Sequence, residues 1–145
     1  MTALSKRRLK VWIRLLRVTR AADNELRGFL RGQETTLPRF DVMAALYRQR
    51  KGATMSELSR MLLVSNGNAT AVVDRLEADG LVQRTPSKAD RRTVFAALTE
   101  AGIAWFEVLA VEHEAVVDRM FGALGEGELD QLAGLLKQLE KGAEA

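Results

Sequence analysis

Apolar side chains recur at Leu9, Trp12, Ile13, Leu16, Leu26, Phe29 and Leu30, with a second stripe through Val11, Leu15, Val18 and Ala22. This spacing predicts one long helix from about Leu4 to Leu30, with an apolar face wide enough to be covered from more than one side. Gly32 and the polar stretch 33–36 end it. Thr36, followed by Leu37 and Pro38, is a capping residue with an early proline, so a second helix starts there. It carries Phe40, Met43, Leu46 and Tyr47 and stops near Lys51 and Gly52.

Thr54-Met55-Ser56-Glu57 fits a capping box, in which threonine and glutamate satisfy each other's free backbone donors. Leu58, Met61 and Leu62 continue a short helix, and Leu63-Val64 form an apolar turn. Ser65 then caps another helix from about Asn66 to Asp79. Its buried face is Ala69, Val72 or Val73, and Leu76, and Gly80 stands where a left-handed C-terminal cap is wanted. The pattern next changes to period two. Leu81 to Arg84 and Val94 to Leu98 read as short strands joined by a polar, basic tip. Thr99 caps a helix running to about Leu124, which Gly125-Glu126-Gly127 breaks. The last helix carries a narrow stripe of Leu129, Leu132, Leu136 and Leu139, close to a coiled-coil seam. The fold class is therefore mainly α with a small β-hairpin.

At 145 residues the chain is one domain and buries enough surface to need no metal or disulfide staple. It has no cysteine and one histidine, His113, which excludes disulfides, thiolate and multi-histidine metal sites, and thiol redox sensing. We expect no cofactor. No apolar run approaches the roughly 18 residues that span a bilayer, and Arg14 and Arg17 interrupt what would be the core of a secretory signal. A cytoplasmic protein without a membrane partner is expected.

Charge is unevenly placed. Residues 1–99 hold 19 Lys/Arg and 9 Asp/Glu, residues 100–145 hold 3 and 10, and the first twenty residues carry seven basic groups and no acid. A basic front of this kind suits a polyanionic partner.

Two short helices joined by a tight turn and followed by a basic hairpin suit a helix-turn-helix unit. The second helix of such a unit lies in the major groove and presents its N-terminal residues to base edges. Here these are Asn66, Gly67, Asn68, Thr70 and Ala71. An asparagine amide pairs with adenine through two hydrogen bonds, and small apolar groups touch thymine methyls. Ser65 and the helix end it caps offer backbone N–H groups to phosphate.

The run from Thr54 to Gly102 resembles the winged helix-turn-helix core of the MarR (multiple antibiotic resistance regulator) family. The resemblance rests on Thr54-Met55-Ser56-Glu57-Leu58, Val72-Val73-Asp74-Arg75-Leu76-Glu77, Gly80-Leu81-Val82, Asp90-Arg91-Arg92 and Leu98-Thr99-Glu100-Ala101-Gly102. It implies a homodimer in which residues 1–36 and 100–145 form a helical dimerisation region and residues 37–99 the DNA-binding lobe. It also implies a transcriptional regulator, a ligand-responsive repressor on a pseudo-palindromic operator of double-stranded DNA. By the same resemblance Asp90-Arg91-Arg92 is the tip of a wing that reaches the minor groove. Arg92 is the inserted side chain, with Arg91 in its place if the register shifts by one. Asp90 orients the arginines, Arg75 contacts phosphate or pairs with Asp90, and Lys88 meets phosphate.

Many members respond to small aromatic or anionic effectors. The resemblance places that cleft between the dimer region and the DNA-binding lobe, where Trp12, Leu16, Met43, Tyr47, Trp105, Leu109 and His113 would line it. Arg14 and Arg17 would meet an anionic group. Dinucleotide and phosphate-loop glycine patterns are absent, so no catalysis is expected. The alternative reading is a winged-helix module that binds protein or RNA without operator specificity.

Overall fold

The structure, a computed structural model, describes residues 1–144. Its elements in chain order are α1 (Ala3–Gly32), α2 (Leu37–Arg48), β1 (Ala53–Thr54), α3 (Met55–Leu62), α4 (Asn66–Ala78), β2 (Val82–Pro86), β3 (Val94–Leu98), α5 (Glu100–Phe121) and α6 (Glu126–Glu144).

The helix starts follow from short polar caps. The side chains of Thr36, Thr54, Ser65 and Thr99 each accept from the backbone N–H three residues on, at 3.4, 3.1, 3.2 and 3.1 Å. Each supplies one acceptor to a turn whose donors would otherwise lack partners. At Thr54 only the threonine half of the expected box forms, because its backbone is drawn into the sheet opposite Phe95. The end of α4 is a Schellman motif. Gly80 has φ +76°, its N–H donates to the Glu77 carbonyl, and the Leu81 N–H donates to the Leu76 carbonyl. A side chain is strained in that left-handed conformation, which is why glycine stands there.

Three places differ from the sequence pattern, among them β2, which runs two residues further than Arg84 to take in Pro86. β1 is a third strand of two residues that no periodicity announces, pairing Ala53 with Ala96 and Thr54 with Phe95. The sheet order is β1-β3-β2, all antiparallel, with Val82 opposite Leu98 and Arg84 opposite Ala96. The break before the last helix lies at residues 122–125, so Glu126 and Gly127 belong to α6 rather than to the connection. Glu126 and Glu128 there meet the positive end of the helix dipole.

One core joins five of the helices and the sheet. Leu30, Met43, Leu46, Leu58, Leu76, Val82, Ala96 and Leu109 are all buried in it. Of the two valines left open by the α4 pattern, Val73 is buried and Val72 half-buried. By contrast α6 has no buried residue, and α1 buries only Leu26 and Leu30. No helix of the described residues is long and apolar enough to cross a membrane.

Candidate nucleic-acid interface

α3 and α4 pack against each other across the three-residue connection Leu63-Val64-Ser65. Leu63 caps α3 in the left-handed region at φ +56°, and the Val64 N–H returns to the Ser59 carbonyl at 3.1 Å. That turn holds the first residues of α4 clear of the protein. Ser65, Asn66, Gly67, Asn68, Ala71 and Arg75 are exposed, Thr70 is half-buried, and Ala69 and Val73 face the core.

The two asparagines are not equivalent. The Ser59 hydroxyl of α3 hydrogen-bonds the Asn66 side-chain amide. Asn66 is thus tied into the helix-turn-helix packing. The Asn68 side chain is exposed and has no hydrogen bond to the protein among the described residues. Sequence spacing treats both alike, because the Ser59 contact is tertiary.

The hairpin of β2 and β3 carries the basic tip. Ser87 closes it, its N–H donating to the Thr93 carbonyl at 2.8 Å, while its hydroxyl oxygen accepts from the N–H groups of Ala89 and Asp90. Asp90 does not hold a guanidinium. Its Oδ1 accepts from the Arg92 backbone N–H at 3.0 Å and its Oδ2 from the Thr93 hydroxyl at 3.3 Å. The aspartate therefore orients Arg92 through the backbone turn, which is what a short acidic side chain does two residues before a free N–H. The expected alternative in which Asp90 pairs with Arg75 does not occur here. Lys88, Arg91 and Arg92 are exposed, and none has an acidic partner among the described residues. Lys88 and Arg91 line one side of the tip, whereas Arg92 lies beside Thr54, Met55 and Ser56 at the start of α3.

Sequence reasoning missed two arginines. Arg39 of α2 pairs with Asp79 at the end of α4, and Arg84 of β2 pairs with Asp74 and hydrogen-bonds the Thr70 carbonyl. Both read as ordinary basic residues in sequence. The visible signal was on α4 itself, where Asp74 and Glu77, with Asp79 at its C-cap, are three acids that call for cationic partners.

A cavity of about 460 Å³ lies between α2 and α4, lined in part by Arg27, Asp41, Val42, Val64, Asn68 and Arg75. Burial, and then the nearby Asp23 carboxylate, raise the pKa of Asp41 above the ordinary carboxylate value, against the pull of Arg27 and Arg48. The residues expected to line an effector cleft lie in three places. Met43 and Leu109 are fully buried core residues, because their helix faces point at the centre of the molecule. Trp12, Arg14 and Arg17 lie on the exposed half of α1, with Leu16 half-buried. Tyr47, Trp105 and His113 lie along the seam between α2 and α5. Phe40 stacks on His113 at 4.4 Å between ring centroids, Tyr47 lies 4.7 Å from Phe106, and the Tyr47 hydroxyl donates to Glu107 at 2.9 Å. Burial lowers the pKa of His113. Tyr47, Trp105 and His113 are thus held by packing along that seam.

Residues 35–94 match the MarR family profile. The chain is 29% identical over 136 residues to the HTH-type transcriptional regulator MhqR of Bacillus subtilis (strain 168), covering 94% of this chain and 93% of that one. It is 30% identical over 131 residues to the HTH-type transcriptional regulator PecS of Dickeya dadantii (strain 3937), covering 88% and 78%. Among solved structures, AbsC, a MarR family transcriptional regulator from Streptomyces coelicolor, matches with a TM-score of 0.87 at 26% identity over 99% of this chain and 97% of that one. A cysteine-to-serine variant of MarR from E. coli, complexed with operator DNA, matches with a TM-score of 0.81 at 26% identity over 95% and 99%. The helix-turn-helix, the hairpin at its flank and these matches together place the chain in the MarR family of winged helix-turn-helix regulators.

Proposed function

We propose that the protein is a homodimeric transcriptional repressor that binds a pseudo-palindromic operator of double-stranded DNA. α4 reads the major groove and the β2–β3 tip enters the flanking minor groove. The observation that carries this is the pairing of an exposed N-terminal face on α4, centred on Asn68, with three exposed cations at the hairpin tip that have no acidic partner among the described residues. Arg75 and the capped N-terminus at Ser65 supply phosphate contacts. Asn66 and Thr70, held by packing, shape the surface around Asn68.

Residues 1–36 and 100–145 form the dimerisation region in this reading. Its support is the row of exposed leucines on α6 and the exposed Leu4, Leu9, Val11 and Trp12 on α1. Two-fold symmetry then sets half-site centres about 10–10.5 base pairs apart or a multiple of that. An anionic effector in the cavity beside Arg27 and Arg75 would share Arg75 and Asn68 with the operator, so effector and DNA would compete.

Footprinting on the protein's own upstream DNA tests the reading. A protected palindrome with steep salt dependence is expected, and uniform binding to all duplexes or to RNA would overturn it. Asn68→Ala should relax preference at one position per half-site and cost about 1–3 kcal/mol on the preferred operator. Lys88→Ala should weaken all duplexes alike and flatten the salt slope by about one unit. Arg92→Ala, or Arg91→Ala with the register shifted, should act most strongly on operators with A·T-rich flanks, where a narrow groove concentrates negative potential.

A further inference from the structure

α4 is an unusual helix to lay against DNA. It carries Asp74 and Glu77, ends on Asp79, and has Arg75 as its one base. Asp74 and Glu77 are met by a single residue of the wing. The Arg84 guanidinium pairs with Asp74, reaches the Thr70 carbonyl through Nη2 at 3.3 Å, and approaches Glu77 through Nη1 at 3.7 Å. The Arg84 backbone N–H also donates to Glu77 Oε2 at 3.0 Å. Only a quarter of the side chain is exposed, so solvent screens these pairs less than open surface pairs. In the sheet Arg84 stands opposite Ala96, which is fully buried, so the residue is fixed from the strand side as well.

Beyond these bonds α4 and the hairpin share the apolar core of Val73, Leu76, Val82 and Ala96, and apolar contact is non-directional. It sets how close the wing sits and leaves its angle to the helix loosely determined. A guanidinium held by two carboxylates and a carbonyl fixes direction as well as distance. We infer that Arg84 is a positioning residue that locks the wing to the reading helix, so that major-groove and minor-groove contacts are made together on one operator. This rests on the DNA-binding reading proposed above.

The test is a titration of paired operators that differ only in flanking sequence. It uses the wild type, Arg84→Gln, Arg84→Lys and the double variant Asp74→Asn/Glu77→Gln, each with and without Arg92→Ala. In the wild type Arg92→Ala lowers the A·T-flank preference. In the Arg84→Gln and Asp74→Asn/Glu77→Gln proteins that preference is already reduced, roughly threefold to tenfold, and Arg92→Ala adds little more. Arg84→Lys keeps the charge without the planar fork, and it retains affinity better than flank preference.

The carboxylate variants are decisive. Removing two acids from a DNA-facing helix, by charge alone, strengthens binding to every duplex and leaves flank preference intact. A loss of flank preference is therefore not what charge gives. These exposed positions also keep the test valid should Arg84→Gln fail to fold. The inference is overturned if Arg92→Ala acts by the same factor in every background, or if Asp74→Asn/Glu77→Gln gains affinity uniformly with flank preference unchanged. If neither Arg92→Ala nor Arg91→Ala changes flank preference in the wild type, the minor-groove wing itself is lost, and the inference falls with it.

Discussion

Residues 37–99 and the terminal helices use similar apolar side chains to opposite ends. In the first region Phe40, Val42, Met43, Leu46, Leu58, Val73 and Leu76 are all buried against one another. In the second, Leu4, Leu9, Val11, Trp12, Ile13 and Val18 of α1 and Leu129, Leu135, Leu136 and Leu139 of α6 stay exposed. Composition does not separate the two regions; the source of cover does. The central lobe is closed with the help of Leu26 and Leu30 of α1 and Phe106, Leu109 and Val116 of α5, whereas the outer faces of the terminal helices present apolar surface of the kind that marks an interface.

Four changes test that contrast. The largest effect is expected from Leu76→Ala in the closed region. It leaves a cavity among fully buried neighbours and should cost about 2–5 kcal/mol, read by thermal or denaturant unfolding. Leu139→Asp in the open region should instead leave the lobe folded and raise the dimer dissociation constant about thirtyfold or more, read by sedimentation. If Leu139→Asp unfolds the lobe, the two regions are not separable in the way described.

The remaining two changes sit on the seams between the regions and have opposite signs. His113, stacked on Phe40, has a lowered pKa because burial disfavours its charged form. The unfolded chain then takes up a proton more readily, so stability falls as pH drops below about 6.5 through the folded value. His113→Gln should flatten that part of the stability profile. Asp41 has a raised pKa, so its ionised form is the costly one and stability rises as pH falls through its folded value. Asp41→Asn should stabilise at neutral pH by roughly a few tenths of a kcal/mol, with the advantage shrinking in acid. An unchanged pH profile in either variant would remove that residue from the seam electrostatics.

What could be read from sequence was local. Thr36, Ser65, Thr99 and Gly80 mark their helix ends because capping is decided within a few residues, and all four act where the pattern put them. β1 was not legible because two residues carry no period; only their pairing with Phe95 and Ala96 makes them a strand. The same holds for the site. The exposed face of α4 and the cations of the tip follow from order and spacing. The tie from Ser59 to Asn66, the backbone role of Asp90, and the grip of Arg84 on α4 depend on elements meeting in space. Met43 and Leu109 fit an aromatic-lined cleft by spacing, yet spacing does not say which face of a helix meets the core and which a ligand.

Gly102, in the first turn of α5, touches the base of the hairpin so closely that a Cβ there would lie 2.1 Å from the Leu81 carbonyl oxygen. The helix is thus seated directly against the base of the hairpin, and in the proposed dimer it would act as a lever arm. Its 22 residues span about 33 Å at 1.5 Å per residue. A tilt of about 10° at one end moves the other by about 6 Å, close to the rise of two base pairs at roughly 3.4 Å each. In the proposed dimer, small rotations where the two copies meet would arrive at the DNA as changes in half-site spacing, magnified by the length of one helix.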